Sequence, residues 1–80
     1  MRIEERAVRR LAGVRVAVGN LWRRPRATGL DGPAAMFWVG DADPLTCWEG
    51  DELEVGGRMW VVERVQPGSG TTGHVVVREA

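Results

Sequence analysis

Residues Gly50–Val65 read GDELEVGGRMWVVERV, and this stretch decides the fold class. Apolar residues alternate with charges up to the pair Gly56-Gly57, and a longer strand led by Trp60 follows. Glycine adopts positive φ without steric cost, which suits the two-residue turn of a hairpin. The stretch therefore predicts a β-hairpin within a small antiparallel β protein.

The hairpin also predicts which side chains share a face. With a two-residue turn, Leu53 lies opposite Trp60 across the ladder. The residues that then point to one side are Leu53, Val55, Trp60 and Val62. Val61 and Val65 are expected on the other side, so the second strand is predicted to be central and covered on both faces.

The remainder of the chain predicts further short strands between turns rich in glycine and proline. These strands are Val14–Val18, Ala34–Val39, Leu45–Glu49 and His74–Glu79, with Ala34–Val39 buried on both faces. Residues 2–11 have apolar positions at helical spacing and predict a short helix, with an edge strand as the alternative. Residues 19–33 and 66–73 are predicted to be loops, with the alternative that the strand from Val14 reaches Trp22.

The length of 80 residues and 44% hydrophobic content suit one domain over residues 1–80. The predicted fold is mainly β, a small antiparallel SH3-like or partly open barrel of five to six strands with a short N-terminal helix. Four tryptophans are expected to supply much of the core volume. The lone Cys47 cannot form an intramolecular disulfide, and no apolar run reaches the length of a membrane span, so a cytoplasmic protein outside the membrane is expected.

Charge is unevenly distributed along a chain whose formal net charge is zero. Residues 1–26 hold eight arginines and two glutamates (+6), residues 27–54 hold seven acids and no base (−7), and residues 55–80 sum to +1. We expect the basic and acidic segments to pair in the fold and cancel. The alternative is a basic face for an anionic partner.

The hairpin block resembles a recurring feature of short bacterial β proteins that have no assigned activity. Its residues in this sequence are Gly50, Asp51, Leu53, Val55, Trp60, Val62 and Val65. The run Glu52-Leu53-Glu54 stands where those proteins more usually have a small residue, an aromatic residue and a proline. The resemblance implies a small β domain and transfers no functional residue to this chain.

The run from Trp22 to Arg26 is the strongest candidate binding feature. An aromatic ring beside three arginines suits stacking with phosphate neutralisation, or contact with an acidic protein surface. The candidate binding residues are Trp22, Arg23, Arg24 and Arg26. A sequence pI near 6.6 disfavours a dedicated nucleic-acid binder, so a protein partner or a second copy of the chain is expected.

An alternative site is a pocket lined by tryptophans with an acid–base group beside it. Its residues would be Trp38, Trp48, Trp60, Glu49, Asp51 and His74. Such a pocket suits a ligand-binding protein or a small enzyme of the cyclase or isomerase type. A buried carboxyl beside Trp48 or Trp60 would favour the enzyme.

The residue types present predict no metal site, no catalytic residues and no cofactor. Cys47 and His74 cannot complete a four-ligand zinc site, and no nucleophile–base pattern of a triad is present. The leading hypothesis is therefore a non-enzymatic binding or accessory module that uses the Trp22–Arg26 run. Its alternatives are the enzyme with a tryptophan-lined pocket and a structural subunit of a phage or secretion assembly.

Overall fold

The computed structural model describes residues 1–26, 31–68 and 72–80, and within those ranges the chain forms eight strands and no helix. The strands are β1 (Arg2–Glu4), β2 (Val8–Leu11), β3 (Val14–Pro25), β4 (Asp31–Val39), β5 (Leu45–Trp48), β6 (Glu52–Val55), β7 (Arg58–Gln66) and β8 (His74–Glu79). The described residues accordingly contain no helix long and apolar enough to span a membrane. The predicted class, a small antiparallel β protein, is confirmed.

The strands form two four-stranded antiparallel sheets. The first sheet has the order β1-β8-β7-β6 and the second has the order β2-β3-β4-β5. Their inner faces contribute to one hydrophobic cluster, so the sheets pack against each other around a shared core. The sheets do not close into a barrel. They contain more strands than the five or six predicted, because the segment expected to be a helix forms two strands, β1 and β2.

The predicted hairpin is formed by β6 and β7. Leu53 lies opposite Trp60 and Val55 opposite Arg58, which confirms the predicted register. The turn residues Gly56 and Gly57 have φ values of +63° and +78°. Both values lie in the left-handed region that a type I′ hairpin turn requires.

The predicted direction of Val65 is wrong because β7 contains a bulge. The register against β8 shifts between Val62 and Arg64, and this brings Val65 back to the inner face. Val62 and Val65 are consequently both buried in the same core, whereas Val61 is half-buried on the outer side. β7 is central in its sheet, as predicted, but its outer face is not fully covered.

The predicted N-terminal helix is replaced by β1 and β2. Ile3 is completely buried opposite Val75 of β8, and β2 forms a hairpin with β3 through Ala12 and Gly13. Arg6, between the two strands, has a φ of +68°, which a right-handed helix excludes. The alternative of an edge strand is therefore correct, since both strands lie at sheet edges.

Most of the predicted loop over residues 19–33 is also strand. β3 continues to Pro25 after a bulge between Gly19 and Trp22, and β4 begins at Asp31; residues 27–30 lie outside the described ranges. Pro33 fits into β4 because its carbonyl points towards β5, where it accepts the Glu49 N–H at 3.4 Å. Proline offers no N–H in return, and the Glu49 carbonyl accepts from Arg26 NH1 at 3.4 Å. In the predicted loop over 66–73, residues 69–71 are likewise outside the described ranges.

The core consists mainly of aliphatic side chains and Phe37, with a smaller share from tryptophan than predicted. Only Trp60 is buried, and its Nε1 donates to the Val55 carbonyl at 3.2 Å. Trp22 and Trp38 are 67% and 38% exposed. The expectation that Ala34–Val39 is buried on both faces is wrong on the outer face, where the Trp38 ring meets solvent.

Candidate binding site

The outer face of the second sheet carries an unusual concentration of aromatic side chains. Cross-strand partners share a face of a sheet, and two cross-strand rows run Ala17–Trp38 and Trp22–Ala34–Trp48. Met36 lies between these rows, opposite Gly19. We call this surface the aromatic face, defined by Ala17, Trp22, Ala34, Met36, Trp38 and Trp48.

Trp38 lies across the neighbouring strand of the aromatic face. A Cβ atom added to Gly19 would lie 3.2 Å from Cζ3 and 3.6 Å from Cη2 of Trp38. The six-membered ring therefore rests over the position where Gly19 has no side chain. Glycine at this point of β3 allows the ring to pack against the sheet surface while part of it stays exposed.

Trp48 is held in place by hydrogen bonds and by a cation. Its Nε1 donates to the Arg24 carbonyl at 3.1 Å, and the Arg26 guanidinium carbon lies 5.6 Å from the ring centroid. Asp51 accepts from Arg26 NH2 at 2.9 Å through Oδ1 and from the Trp48 backbone N–H at 2.8 Å through Oδ2. The cluster joins the end of β3 to the turn between β5 and β6.

The carboxylates of the alternative pocket have structural partners. Glu49 Oε1 accepts the Val65 N–H at 2.9 Å, and both oxygens of Asp51 accept the bonds described above. Trp48, Glu49 and Asp51 are brought together. Trp60, by contrast, is buried in the core, and His74 lies at the start of β8 opposite Glu4 in the other sheet. The six candidate pocket residues therefore do not line one pocket.

The residues of the run Trp22–Arg26 have different environments: Trp22–Pro25 form the end of β3, and Arg26 follows the strand. Trp22 and Arg23 are exposed, whereas Arg26 is paired with Asp51. Arg24 NH2 donates to the Asn20 carbonyl at 3.3 Å, and its Nε is buried without a hydrogen-bond partner in the described part of the chain. Trp22, Asn20 and Arg24 line a cleft of about 340 Å³ together with Glu5, Leu21 and Gly68.

The two sheets differ in charge, which the linear sequence does not reveal. The strands of the second sheet carry five arginines and one acid, a formal charge of +4; the arginines are Arg9, Arg10, Arg15, Arg23 and Arg24. The strands of the first sheet carry four arginines and five glutamates, a formal charge of −1. The remaining charges lie in turns and bring the net charge to zero.

The expected pairing of the basic and acidic segments is limited to one ion pair among the described residues. Arg26–Asp51 joins residues 1–26 to residues 27–54. The three other ion pairs lie within the first sheet: Arg2–Glu4, Arg58–Glu79 and Arg78–Glu63. The arginines on the strands of the second sheet therefore have no carboxylate within 4.0 Å in the described ranges.

Cys47 is a core residue of β5 and not an exposed nucleophile. Burial raises the pKa of its thiol from 9.0 to about 11, and the Asp51 carboxylate adds to the shift. A thiol in this environment stays protonated and unreactive at neutral pH. Across the described ranges, no three histidine, cysteine or carboxylate side chains converge as metal ligands would.

Comparison of the chain with protein-family models, with curated proteins and with solved structures finds no match. The resemblance of the hairpin block to short bacterial β proteins consequently remains a prediction. The fold and the site define a small antiparallel domain of two sheets, one of which presents an aromatic and basic outer face.

Proposed function

We propose that this chain is a non-enzymatic binding module that contacts an anionic partner through the aromatic face and the arginines around it. One observation carries the proposal: Trp22 and Trp38 remain exposed on a sheet face that also carries Arg10, Arg15 and Arg24. The contact surface thus extends beyond the Trp22–Arg26 run to the rest of the second sheet.

Exposed tryptophans favour a binding role on energetic grounds. A buried tryptophan can remove roughly 150–250 Å² from water, so leaving two of four rings exposed forgoes a large hydrophobic stabilisation. Contiguous exposed apolar surface on a small domain is typical of an interaction site. Arginine next to such a surface adds donors for carboxylate or phosphate groups.

The enzyme alternative has less support than the binding module. Glu49 and Asp51, its candidate acid–base groups, each accept hydrogen bonds that connect separate parts of the fold. Their replacement would disturb the structure before it tested any chemistry.

Self-association stays a prediction, which light scattering would test, and a role as a structural subunit of a larger assembly stays a prediction as well. Two aromatic faces stacked against each other would bring arginines opposite arginines, and like charges in contact oppose association.

Retention on immobilised heparin, a generic polyanion, tests the proposal. The double variant Arg10→Gln/Arg15→Gln removes two arginines that lie opposite each other on the second sheet. The control Arg2→Gln/Arg64→Gln removes the same charge from strands of the first sheet. We expect the first variant to elute at clearly lower salt than the control. Equal elution of the two variants, or no retention of the wild-type chain, would refute the proposal.

A further inference from the structure

We infer that the anionic partner is single-stranded nucleic acid, whose bases stack on the aromatic face while arginines contact the phosphates. This inference rests on the proposed function and identifies its ligand class. It follows from the orientation of Trp38, the separation of Trp38 from Trp22, and the positions of the arginines relative to both rings.

Trp38 is presented as a stacking surface. Its six-membered ring lies over Gly19, 3.2 Å from the position of an added Cβ, so the sheet supports it from below. The side chain is 38% exposed, which leaves ring surface for a ligand. Aromatic side chains supported in this way bind unpaired bases with little dependence on sequence, because every base has a π-face.

Trp22 provides a second ring farther along the same face. Trp38 lies opposite Ala17, and Trp22 follows Ala17 on β3 after the bulge. From the rise per residue of a β-strand, the two cross-strand rows that contain Trp38 and Trp22 are roughly 13–16 Å apart. Met36 lies between these rows and provides an apolar surface. This separation suits a segment of several nucleotides in which two bases stack and those between them cross an apolar surface.

Arginines lie at both ends of this line of rings. Next to Trp38, a shallow cleft of about 580 Å³ is lined by Arg10 and Arg15, with Asp41 at its edge. At the other end, Arg24 lies two residues beyond Trp22 on the same face of β3, whereas Arg23 points to the opposite face. Cations on either side of stacking rings are positioned for the backbone phosphates that flank stacked bases.

The zero net charge of the chain does not argue against this ligand. The positive charge is concentrated on the second sheet, while strands of the first sheet have a formal charge of −1. Glu52, Glu54 and Glu63 lie on strands of that first sheet. A nucleic acid on the aromatic face meets the three arginines of the second sheet that share this face, and the overall pI conceals this local positive charge.

Two other anionic ligands fit the surface less well. The bases of a duplex are stacked and paired, so they cannot lie on Trp38 or Trp22. An acidic peptide would satisfy the arginines but would leave both ring faces without a stacking partner. The combination of flat rings and arginines consequently favours an unpaired strand.

Tryptophan fluorescence titrations with three probes test the inference. The probes are a deoxythymidine oligonucleotide of about 12 nucleotides, a duplex of the same length, and polyglutamate. We expect the oligonucleotide to bind more tightly than the other two and to lose affinity as salt rises. Trp38→Ala and Trp22→Ala should each weaken binding by about fivefold or more.

Two further variants separate stacking from a general effect on the fold. Met59→Ala removes an exposed apolar side chain from β7 of the first sheet and should leave oligonucleotide affinity unchanged. Trp38→Phe keeps an aromatic ring over Gly19 and should retain more affinity than Trp38→Ala. Binding by the tryptophan variants is followed by fluorescence anisotropy of a labelled oligonucleotide, which does not depend on the ring that was removed.

The possible results distinguish the inference from the proposed function. If the chain is retained on heparin but binds the duplex or polyglutamate as tightly as the oligonucleotide, the inference is overturned. The proposed function as a binding module then stands. The same conclusion follows if both alanine variants bind the oligonucleotide like the wild-type chain. If neither heparin nor any of the three probes binds, both proposals fail.

Discussion

Raising the pH above 9 is expected to destabilise this fold through one side chain, Cys47. The thiol is buried in the core, and its pKa is raised from 9.0 to about 11, first by burial and then by the Asp51 carboxylate. The folded protein therefore holds the thiol proton more tightly than the unfolded chain does. The resulting stabilisation is complete below pH 9 and is lost as the pH rises towards and beyond 11.

The size of the effect follows from the pKa difference. A rise from 9.0 to about 11 corresponds to about 3 kcal/mol between the two limits, of which about 2 kcal/mol is lost by pH 11. Few other groups complicate this range. All eleven basic residues are arginines, and the chain has neither lysine nor tyrosine, the residue types whose side chains ordinarily titrate near pH 10.

Urea unfolding followed by tryptophan fluorescence measures this loss directly. The wild-type chain should lose about 2 kcal/mol of its free energy of unfolding between about pH 8 and pH 11. Cys47→Ala should be less stable at the lower pH, because it leaves a small cavity opposite Ala35, but its stability should change little with pH. The reasoning is refuted if the wild-type stability is constant over this range, or if the variant shows the same fall.

Two matched pairs of substitutions test the packing of the fold by the same urea assay. Gly57→Ala should cost about 1–2 kcal/mol for its positive φ alone, since nothing lies within 4 Å of the new Cβ. Gly56→Ala should cost about 1–3 kcal/mol more than Gly57→Ala, because the added Cβ would lie 2.6 Å from Cβ and 2.8 Å from the carbonyl oxygen of Ala12. Equal costs for the two variants would show that the turn does not pack closely against Ala12. Trp60→Ala should cost about 3–5 kcal/mol, whereas Trp22→Ala, at 67% exposure, should change stability by about 0.5 kcal/mol or less. Comparable losses at the two tryptophans would contradict the division into core and surface rings.

The β6–β7 hairpin could be predicted from the sequence because its determinants are local. Two adjacent glycines permit the turn, and the period-two alternation of Leu53 and Val55 fixes the face that packs inward. The direction of Val65 could not be predicted in the same way. It depends on a bulge that forms where β7 pairs with β8, a strand nine residues or more away in the sequence.

The N-terminal strands could not be predicted from local periodicity either. The apolar positions from Ile3 to Leu11 fit a helix, but each short strand gains its hydrogen bonds from a distant partner. β1 pairs with β8 at the other end of the chain, and β2 pairs with β3. The pairing that decides between helix and strand is therefore a property of the folded chain.

The sequence by itself determined the small antiparallel β class, the hairpin register and the presence of tryptophans beside arginines. Only the tertiary structure decided that Trp60 enters the core while Trp22 and Trp38 stay on the surface. It also decided the charge of each sheet. The basic segment 1–26 supplies β1 to the first sheet and β2 and β3 to the second, and the acidic segment 27–54 is divided between the sheets as well. Strand pairing redistributes charges that are adjacent in sequence, so the basic aromatic face exists only once the two sheets have formed.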